Sequence, residues 1–525
     1  MKRVMIAGIG SGSGKSVLAA AAACAFIKKG LRVKVCKCGP DYIDPLLHNR
    51  ILSRCAFAER NEKSIRPSFC DASVGGLNID PFLQGRKGAA KLFDRLAGDT
   101  QLVILEGAMG YFDGIGLSSQ NSARDIAGLT DTPVILVMKP GGMGATLGAL
   151  LKGMLEYDSK AYGDRSGNYI AGVILNECKE SHYKYLRPVI ETAGLKALGY
   201  LPRLEEAGIE SRHLGLAAVL ESDYKELYEK FDLISDKLLE TVDLDGILEI
   251  SAEDDGYVKA PRAEENGDGP RTGVGTGRSG RLADSFGKRA RIAVAADDAF
   301  CFYYASSLSA LKEAGAELCF FSPVKDSGLP EGISGLYLGG GYPEFFLKEL
   351  SENKGMREDI RSAVTNGMPF IAECGGFMYL HERIYRTGEG QQAAPAPDRG
   401  CEMAGLIEGE CRFLGALKRF GYVYLTADKP SMLFREGERL PAHEFHYYDS
   451  TAVSSMGSDA GALMPALPKQ DCREIIAGKA SGTGRWRAGF AGESFYAGFP
   501  HLELSGEQCL AARFVRKAED YRDGS

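Results

Sequence analysis

Residues 8–16 read GIGSGSGKS, with the apolar run VMIAG (Val4–Gly8) leading in and VLAAAAACAFIKKG (Val17–Gly30) following. A strand that enters a Gly/Ser-rich turn and leaves as a helix is what a phosphate-binding loop requires. Backbone N–H groups and the first turn of the helix converge on the anion, Lys15 neutralises it, and Ser16 reaches a magnesium ion. Gly12 and Gly14 supply the permissive backbone that such a turn needs. The strict pattern places glycine at position 9, where Ile9 stands, and the glycine is displaced by one to Gly8. A Gly/Ser turn that merely links strand to helix is the competing reading, and the Gly-Lys-Ser ending argues against it.

Outward from this loop, strand-like runs at Val4–Gly8, Arg32–Lys37, Leu102–Leu105, Pro133–Met138 and Ile170–Leu175 alternate with helix-length segments. That alternation predicts a doubly wound parallel α/β sheet over residues 1–250. Residues 251–289 turn rich in Gly, Arg and charge and read as a flexible linker. A second α/β series over 290–525 follows, with strands at Arg291–Ala295, Glu317–Phe321 and Gly335–Leu338 and a helix through Ser306–Ala314. Thr387–Arg399 and Ser454–Arg485 read as inserted loops. At 525 residues the chain is long enough for two to four domains.

With 44% hydrophobic and 25% charged residues, the composition excludes disordered and fibrous classes. A formal charge of -7 offers no broad cationic surface, so no nucleic-acid partner is expected. No apolar run is long enough to cross a bilayer and the N-terminus lacks a signal-peptide pattern, which predicts a cytoplasmic protein without a membrane partner. The 13 cysteines are odd in number and scattered, so reduced, mostly buried thiols are expected for all but one.

Magnesium bound with a nucleotide needs carboxylates facing the phosphates. Glu106 closes LVILEG at the sheet edge where α/β folds bind ligands. Asp41 and Asp44, in GPDYIDPLLH (Gly39–His48), follow the second strand. Ser16, Glu106 and Asp44 are therefore the candidate metal ligands.

The exceptional cysteine is Cys374. MPFIAE (Met368–Glu373) is strand-like and GGFMYLHERIY after the cysteine is helix-like, so Cys374 sits on a sharp strand-to-helix turn with small neighbours. SFYAGFPHLEL (Ser494–Leu504) brings His501 and Glu503, which strand alternation would set side by side as base and orienting acid. Gly339–Gly341, after GLYL, offers backbone donors. Gly340 and the amide of Gly375 are the candidates to face a developing oxyanion.

These segments resemble the cobyrinic acid a,c-diamide synthases over nearly the whole chain. The matching stretches are GIGSGSGKS, GPDYIDPLLH, LNIDPFL (Leu77–Leu83), EGAMGYFDG (Glu106–Gly114), GVILN (Gly172–Asn176), LGYLPR, RHLGL (to Leu216), LYLGGGYPE (Leu336–Glu344), AECGGFMYL and HEFHY (His443–Tyr447). The resemblance implies a synthetase domain similar to dethiobiotin synthetase joined to a class I glutamine amidotransferase domain. It further implies ATP as co-substrate with Mg2+, glutamine hydrolysis at Cys374 assisted by His501, and passage of ammonia to a corrinoid carboxylate activated as an acyl phosphate. Members of the family amidate the a and c acetates. Asp41, Asp44, His443 and His446 are expected to lie at the substrate site or the domain interface, with a metal pair or a structural pair as the other readings for the histidines. A homodimer is compatible with the sequence.

The chain departs from the family pattern at several points. Lys139 stands where many relatives have aspartate, the stretch from Asn49 to Gly76 is longer, His501-Leu502-Glu503 replaces His-x-His, and Ala442 replaces a glycine. Competing functions are the same chemistry on hydrogenobyrinic acid or nickel-sirohydrochlorin, cobyric acid synthase, and a partition-type ATPase switch with an inert second domain.

Overall fold

The computed structural model describes residues 1–58, 75–98, 100–162, 168–204, 224–253, 289–386, 400–454, 464 and 471–524. Most of Ser251–Lys288, Thr387–Arg399, RHLGL and much of the long Asn49–Gly76 stretch lie outside these residues.

The first sheet is built from β1 (Lys2–Gly8), β2 (Val33–Cys38), β3 (Gly75–Ile79), β4 (Leu102–Glu106), β5 (Val134–Met138), β6 (Ile170–Asn176) and β7 (Lys196–Leu201), in the order β3-β2-β4-β1-β5-β6-β7. All these pairs are parallel, and the two-residue β8 (Ala252–Glu253) adds antiparallel to the start of β1. Every residue of β4 and β5 is buried, as expected of parallel strands covered by helices on both faces. Helix α1 (Lys15–Lys28) runs directly out of the glycine loop. Its six alanines, Ala19–Ala23 and Ala25, are all buried, combining strong helix propensity with small side chains that let the helix lie close to the sheet.

The second sheet uses β9 (Arg291–Ala295), β10 (Glu317–Phe321), β11 (Gly335–Leu338) and β12 (Phe370–Glu373) as a parallel core. A small four-stranded sheet contains β13 (His381–Tyr385), β14 (Cys401–Glu402), β15 (Ile407–Phe413) and β18 (Tyr448–Ser450). The main sheet continues through β16 (Arg419–Ala427), β17 (Leu440–His446), β19 (Arg473–Lys479), β20 (Arg485–Ala491), β21 (Phe495–Gly498) and β22 (His501–Leu502). Its full order is β10-β9-β11-β12-β21-β20-β19-β16-β17-β22. β19 corrects the expectation of a loop over Ser454–Arg485. The run REIIAGK pairs with both β16 and β20, where backbone hydrogen bonding and burial of Ile475 and Ala477 outweigh the polar, glycine-rich flanks.

The two sheets meet through an aromatic cluster. Tyr42, Leu46 and Leu83 from the first pack with Cys301, Phe302 and Tyr304 from the second. Tyr304 Oη donates to Pro40 O at 3.1 Å, and Tyr422 Oη donates to Asp80 Oδ2 at 2.7 Å. Burial pushes the Asp80 carboxyl up to about 6 despite that bond.

Candidate functional sites

The glycine loop explains why its pattern is shifted. A Cβ at Gly8 would come within 2.1 Å of Ser13 Oγ, whereas Ile9 is 38% exposed. Gly12 and Gly14 have φ of 77° and 94°, in the left-handed region that side chains disfavour. A Cβ at Gly14 would lie 2.1 Å from Asn176 Nδ2, which donates instead to Ser13 O at 3.0 Å. Asn176, at the end of β6, thus braces the loop. Lys15 is buried and donates to Gly10 O at 3.0 Å, leaving its ammonium at the mouth of the turn.

Burial, followed by the neighbouring Lys37 ammonium, lowers Lys15 to about 8. In the free protein this lysine loses its charge as pH rises through that value. The affinity for ATP, followed by equilibrium titration, is therefore expected to fall as pH rises through about 8.

Ser16 Oγ donates to Glu106 Oε1 at 2.6 Å, and Lys37 Nζ donates to the same oxygen at 2.6 Å. Lys37 also pairs with Asp44 Oδ2 at 2.5 Å, so one buried ammonium ties two carboxylates together beside the loop. Burial works against the charges of Lys37 and Glu106. Asp44 and Glu106 nevertheless hold Lys37 well above its ordinary value, and Lys37 with His48 holds Glu106 well below the usual carboxylate range. For Asp44, burial and then Glu106 raise the carboxyl. His48 Nε2 lies 2.9 Å from Glu106 Oε2, at angles short of a hydrogen bond. Asp41 is spent locally, accepting from the Ile43 amide at 2.8 Å. Sequence reasoning missed Lys37 and His48. The register of β2 on β4, which sets Lys37 opposite Glu106, is what brings the lysine in.

These donors fit magnesium: a hydroxyl and two carboxylates are hard oxygen ligands, few enough to leave positions for water and phosphate. Among the described residues no group of three or more His, Cys, Asp or Glu side chains is arranged to hold a metal. Lys139 pairs with Glu177 at 2.6 Å.

In the second sheet, Cys374 has φ 46° and ψ -101° at the turn from β12 into the short helix Gly375–Tyr379. A non-glycine residue held there is strained, and such strain concentrates at reactive positions. The chain can close this turn because glycines surround it. A Cβ at Gly376 would lie 2.1 Å from Leu338 O, and one at Gly375 would lie 3.1 Å from the Gly341 amide, so the glycine run Gly339–Gly341 abuts the cysteine. Within that run the Gly339 amide is engaged by Tyr303 Oη at 2.8 Å.

The Cys374 amide donates to Gly498 O at 2.8 Å, tying the cysteine to the segment that leads into His501. Its Sγ lies 4.0 Å from Phe445 O on β17, and β17 sets His443 opposite His501. Thiol and imidazole are thereby held against one strand. Cys374 is 8% exposed. Burial pushes its thiol well above the ordinary value, with Glu344 adding to the rise and the Gly375 amide opposing it. The resting sulfur is a neutral thiol, and attack on a carboxamide needs a base to take its proton as the bond forms.

Glu503, expected to orient that base, makes no hydrogen bond to His501 Nδ1 in this structure. Its carboxylate accepts from Ser306 Oγ at 2.7 Å, Ser307 Oγ at 3.0 Å and the Ser505 amide at 3.0 Å. β22 is only His501–Leu502, so alternation stops before residue 503 and the carboxylate turns to the first turn of the helix Ala305–Glu313. At His501 Nδ1 the carboxylate contact is with Glu373 Oε2, at 3.7 Å. Glu503→Gln should accordingly leave the pH profile of glutamine hydrolysis unchanged and cost about 1–3 kcal/mol of stability, read by denaturant unfolding.

His443 and His446 part company. Three positions apart on a strand, they face opposite sides. His443 is buried against Phe420 and Tyr422 on the side of the domain interface, and burial together with His501 lowers it to about 3, keeping it neutral. His446 lies on the other face, 3.9 Å from the Phe499 ring, with Nε2 2.9 Å from Glu444 Oε1 and Nδ1 2.6 Å from Tyr448 O. The interface expectation is corrected for His446, which lines an 820 Å³ cavity with Glu444 and Trp486.

No helix among the described residues is long and apolar enough to cross a membrane. A model of the CobQ/CobB/MinD/ParA nucleotide binding domain matches residues 4–215, and one of the CobB/CobQ-like glutamine amidotransferase domain matches residues 291–462. Three relatives named cobyrinate a,c-diamide synthase align along most of their length. The one from Caldanaerobacter subterraneus subsp. tengcongensis is 34% identical over 98% of each chain. That from Clostridium tetani is 35% identical over 85% of this chain and 87% of its own, and that from Listeria innocua is 32% identical over 96% of both.

Proposed function

Since the chain belongs to the cobyrinate a,c-diamide synthase family, we propose that it converts the a and c acetates of cobyrinic acid to carboxamides with ATP and glutamine, by the residues described above. The observation that carries this reading is the pairing, in one chain, of a glycine loop bearing Lys15 with a strained cysteine, Cys374, tied by its amide to the strand that leads to His501.

At Cys374 the sulfur attacks the glutamine carboxamide carbon, and His501 accepts the thiol proton and returns it to the departing ammonia. Water then cleaves the thioester and releases glutamate. Amides of Gly340 and Gly375 are the donors for the oxyanion of both steps. In the first domain, a corrinoid carboxylate oxygen attacks the γ-phosphorus of ATP, displacing ADP and leaving an acyl phosphate. Ammonia attacks the acyl carbon, phosphate departs and a proton is lost, giving the amide. Activation is required because a carboxylate has no group that ammonia can displace.

Lys15 and the loop amides hold the phosphates, while Asn176 keeps the loop in shape. Magnesium, when bound, would be held by Ser16, Glu106 and Asp44 and would neutralise phosphate charge. Asp41 stands beside them on the loop expected to meet the substrate. Residues 1–250 form the synthetase unit in this reading, 290–525 the amidotransferase unit, and the cytoplasm is where ATP and glutamine are at hand.

Incubation with ATP, magnesium, glutamine and cobyrinic acid tests the reading by product mass. Two exchanges of hydroxyl for amino are expected. An unchanged corrinoid, with amidation of nickel-sirohydrochlorin or of other side chains, would refute it.

A further inference from the structure

A catalytic imidazole is ordinarily held in orientation by an acid or carbonyl bonded to its second nitrogen. His501 has no such support. Its Nδ1 makes no hydrogen bond, the Glu373 carboxylate is 3.7 Å away, and Glu503 is turned to Ser306 and Ser307. The ring is 2% exposed and must be positioned by packing.

Two groups pack it. Gly340 lies against one edge, where a Cβ would come within 2.4 Å of Cε1. The other is the ring of Tyr42, whose centroid is 4.9 Å from that of the imidazole with planes inclined by 51°. Tyr42 belongs to the first domain, on the GPDYIDP segment between Asp41 and Asp44. Its own position is fixed from the second domain. Phe302 stacks on it at 5.1 Å and 11°, and Tyr304 stacks at 4.4 Å and 28° while bonding the Pro40 carbonyl. The Tyr42 hydroxyl makes no hydrogen bond of ordinary geometry, and it is the ring that faces the imidazole.

We propose that Tyr42 is a positioning residue of the glutaminase: its ring, delivered by the synthetase domain, holds the His501 imidazole in the orientation that receives the Cys374 proton, so that the glutaminase centre is complete only when the two domains are docked. The proposal rests on the reading of Cys374 and His501 as the glutaminase pair. It gives docking a chemical consequence, since a separated second domain would carry the nucleophile with a poorly held base and release little ammonia to solvent.

The test compares full-length Tyr42→Ala, Tyr42→Phe, Phe302→Ala and Cys374→Ser for glutamine hydrolysis and, separately, for amidation driven by ammonium salts. Loss of orientation alone is worth on the order of 10- to 100-fold in rate. Tyr42→Ala is expected to lose that much in kcat for glutamine with little change in KM. Tyr42→Phe should restore it, and Phe302→Ala should lose part of it while keeping ammonia-driven amidation. Hydrolysis by Tyr42→Ala at the wild-type kcat, beside an inactive Cys374→Ser, would overturn the proposal and leave the glutaminase assignment standing. Failure of Tyr42→Phe to rescue, or equal loss of ammonia-driven amidation in Phe302→Ala, would also overturn it. An active Cys374→Ser would overturn the assignment beneath it.

Discussion

Cys374→Ser is expected to abolish glutamine hydrolysis, by on the order of 10⁴-fold or more, while amidation supplied with ammonium salts continues. The magnitude follows from the site. The thiol is buried and raised by its surroundings, so its reactivity depends on a base that removes the proton during attack. Serine at the same strained position offers a poorer nucleophile to the same base, and Cys36, Cys38 and Cys411, which lie inside strands with burial raising their thiols, are not placed to replace it. The amidation centre is built from the other sheet, and nothing in it uses the sulfur. Release of glutamate from glutamine, measured beside amide formation from ammonium, checks both halves of the prediction.

Lys15→Ala should have the complementary effect, reducing amidation from either nitrogen source by roughly 10²–10³-fold. Without a nucleotide its ammonium is parked on the Gly10 carbonyl at the mouth of the loop, where the phosphates would replace that contact. Lys37 is buried between Asp44 and Glu106 and is committed to those carboxylates, so it is poorly placed to stand in. Product formation with glutamine and with ammonium salts, compared in the same preparation, would show parallel losses. A Lys15→Ala protein that amidates normally with ammonia would remove the loop from the chemistry.

What could be read in the sequence was what the chain fixes locally. A strand, a glycine turn and a helix contiguous in sequence place Lys15 and Ser16, and the same arrangement places Cys374, so both loops were legible from a few residues. Partners brought in by sheet order were not. Lys37 meets Glu106 only because β2 lies beside β4 in that register, and Tyr42 meets His501 only because two domains dock. The error at Glu503 has a related origin: alternation is a property of a continuing strand, and β22 ends at Leu502. Similarly, His443 and His446 look like a pair in sequence, but an odd spacing on a strand sends them to opposite faces. Strand β19 was hidden because its flanks are polar, although Ile475 and Ala477 mark its buried side.

Glutamine carrying heavy nitrogen in its side-chain amide, supplied together with ordinary ammonium, ATP, magnesium and cobyrinic acid, tests the operation of two centres in series most directly. The wild-type product is predicted to carry heavy nitrogen at both new carboxamides and the Cys374→Ser product only ordinary nitrogen. Wild-type product labelled no more heavily than that of Cys374→Ser would contradict the account.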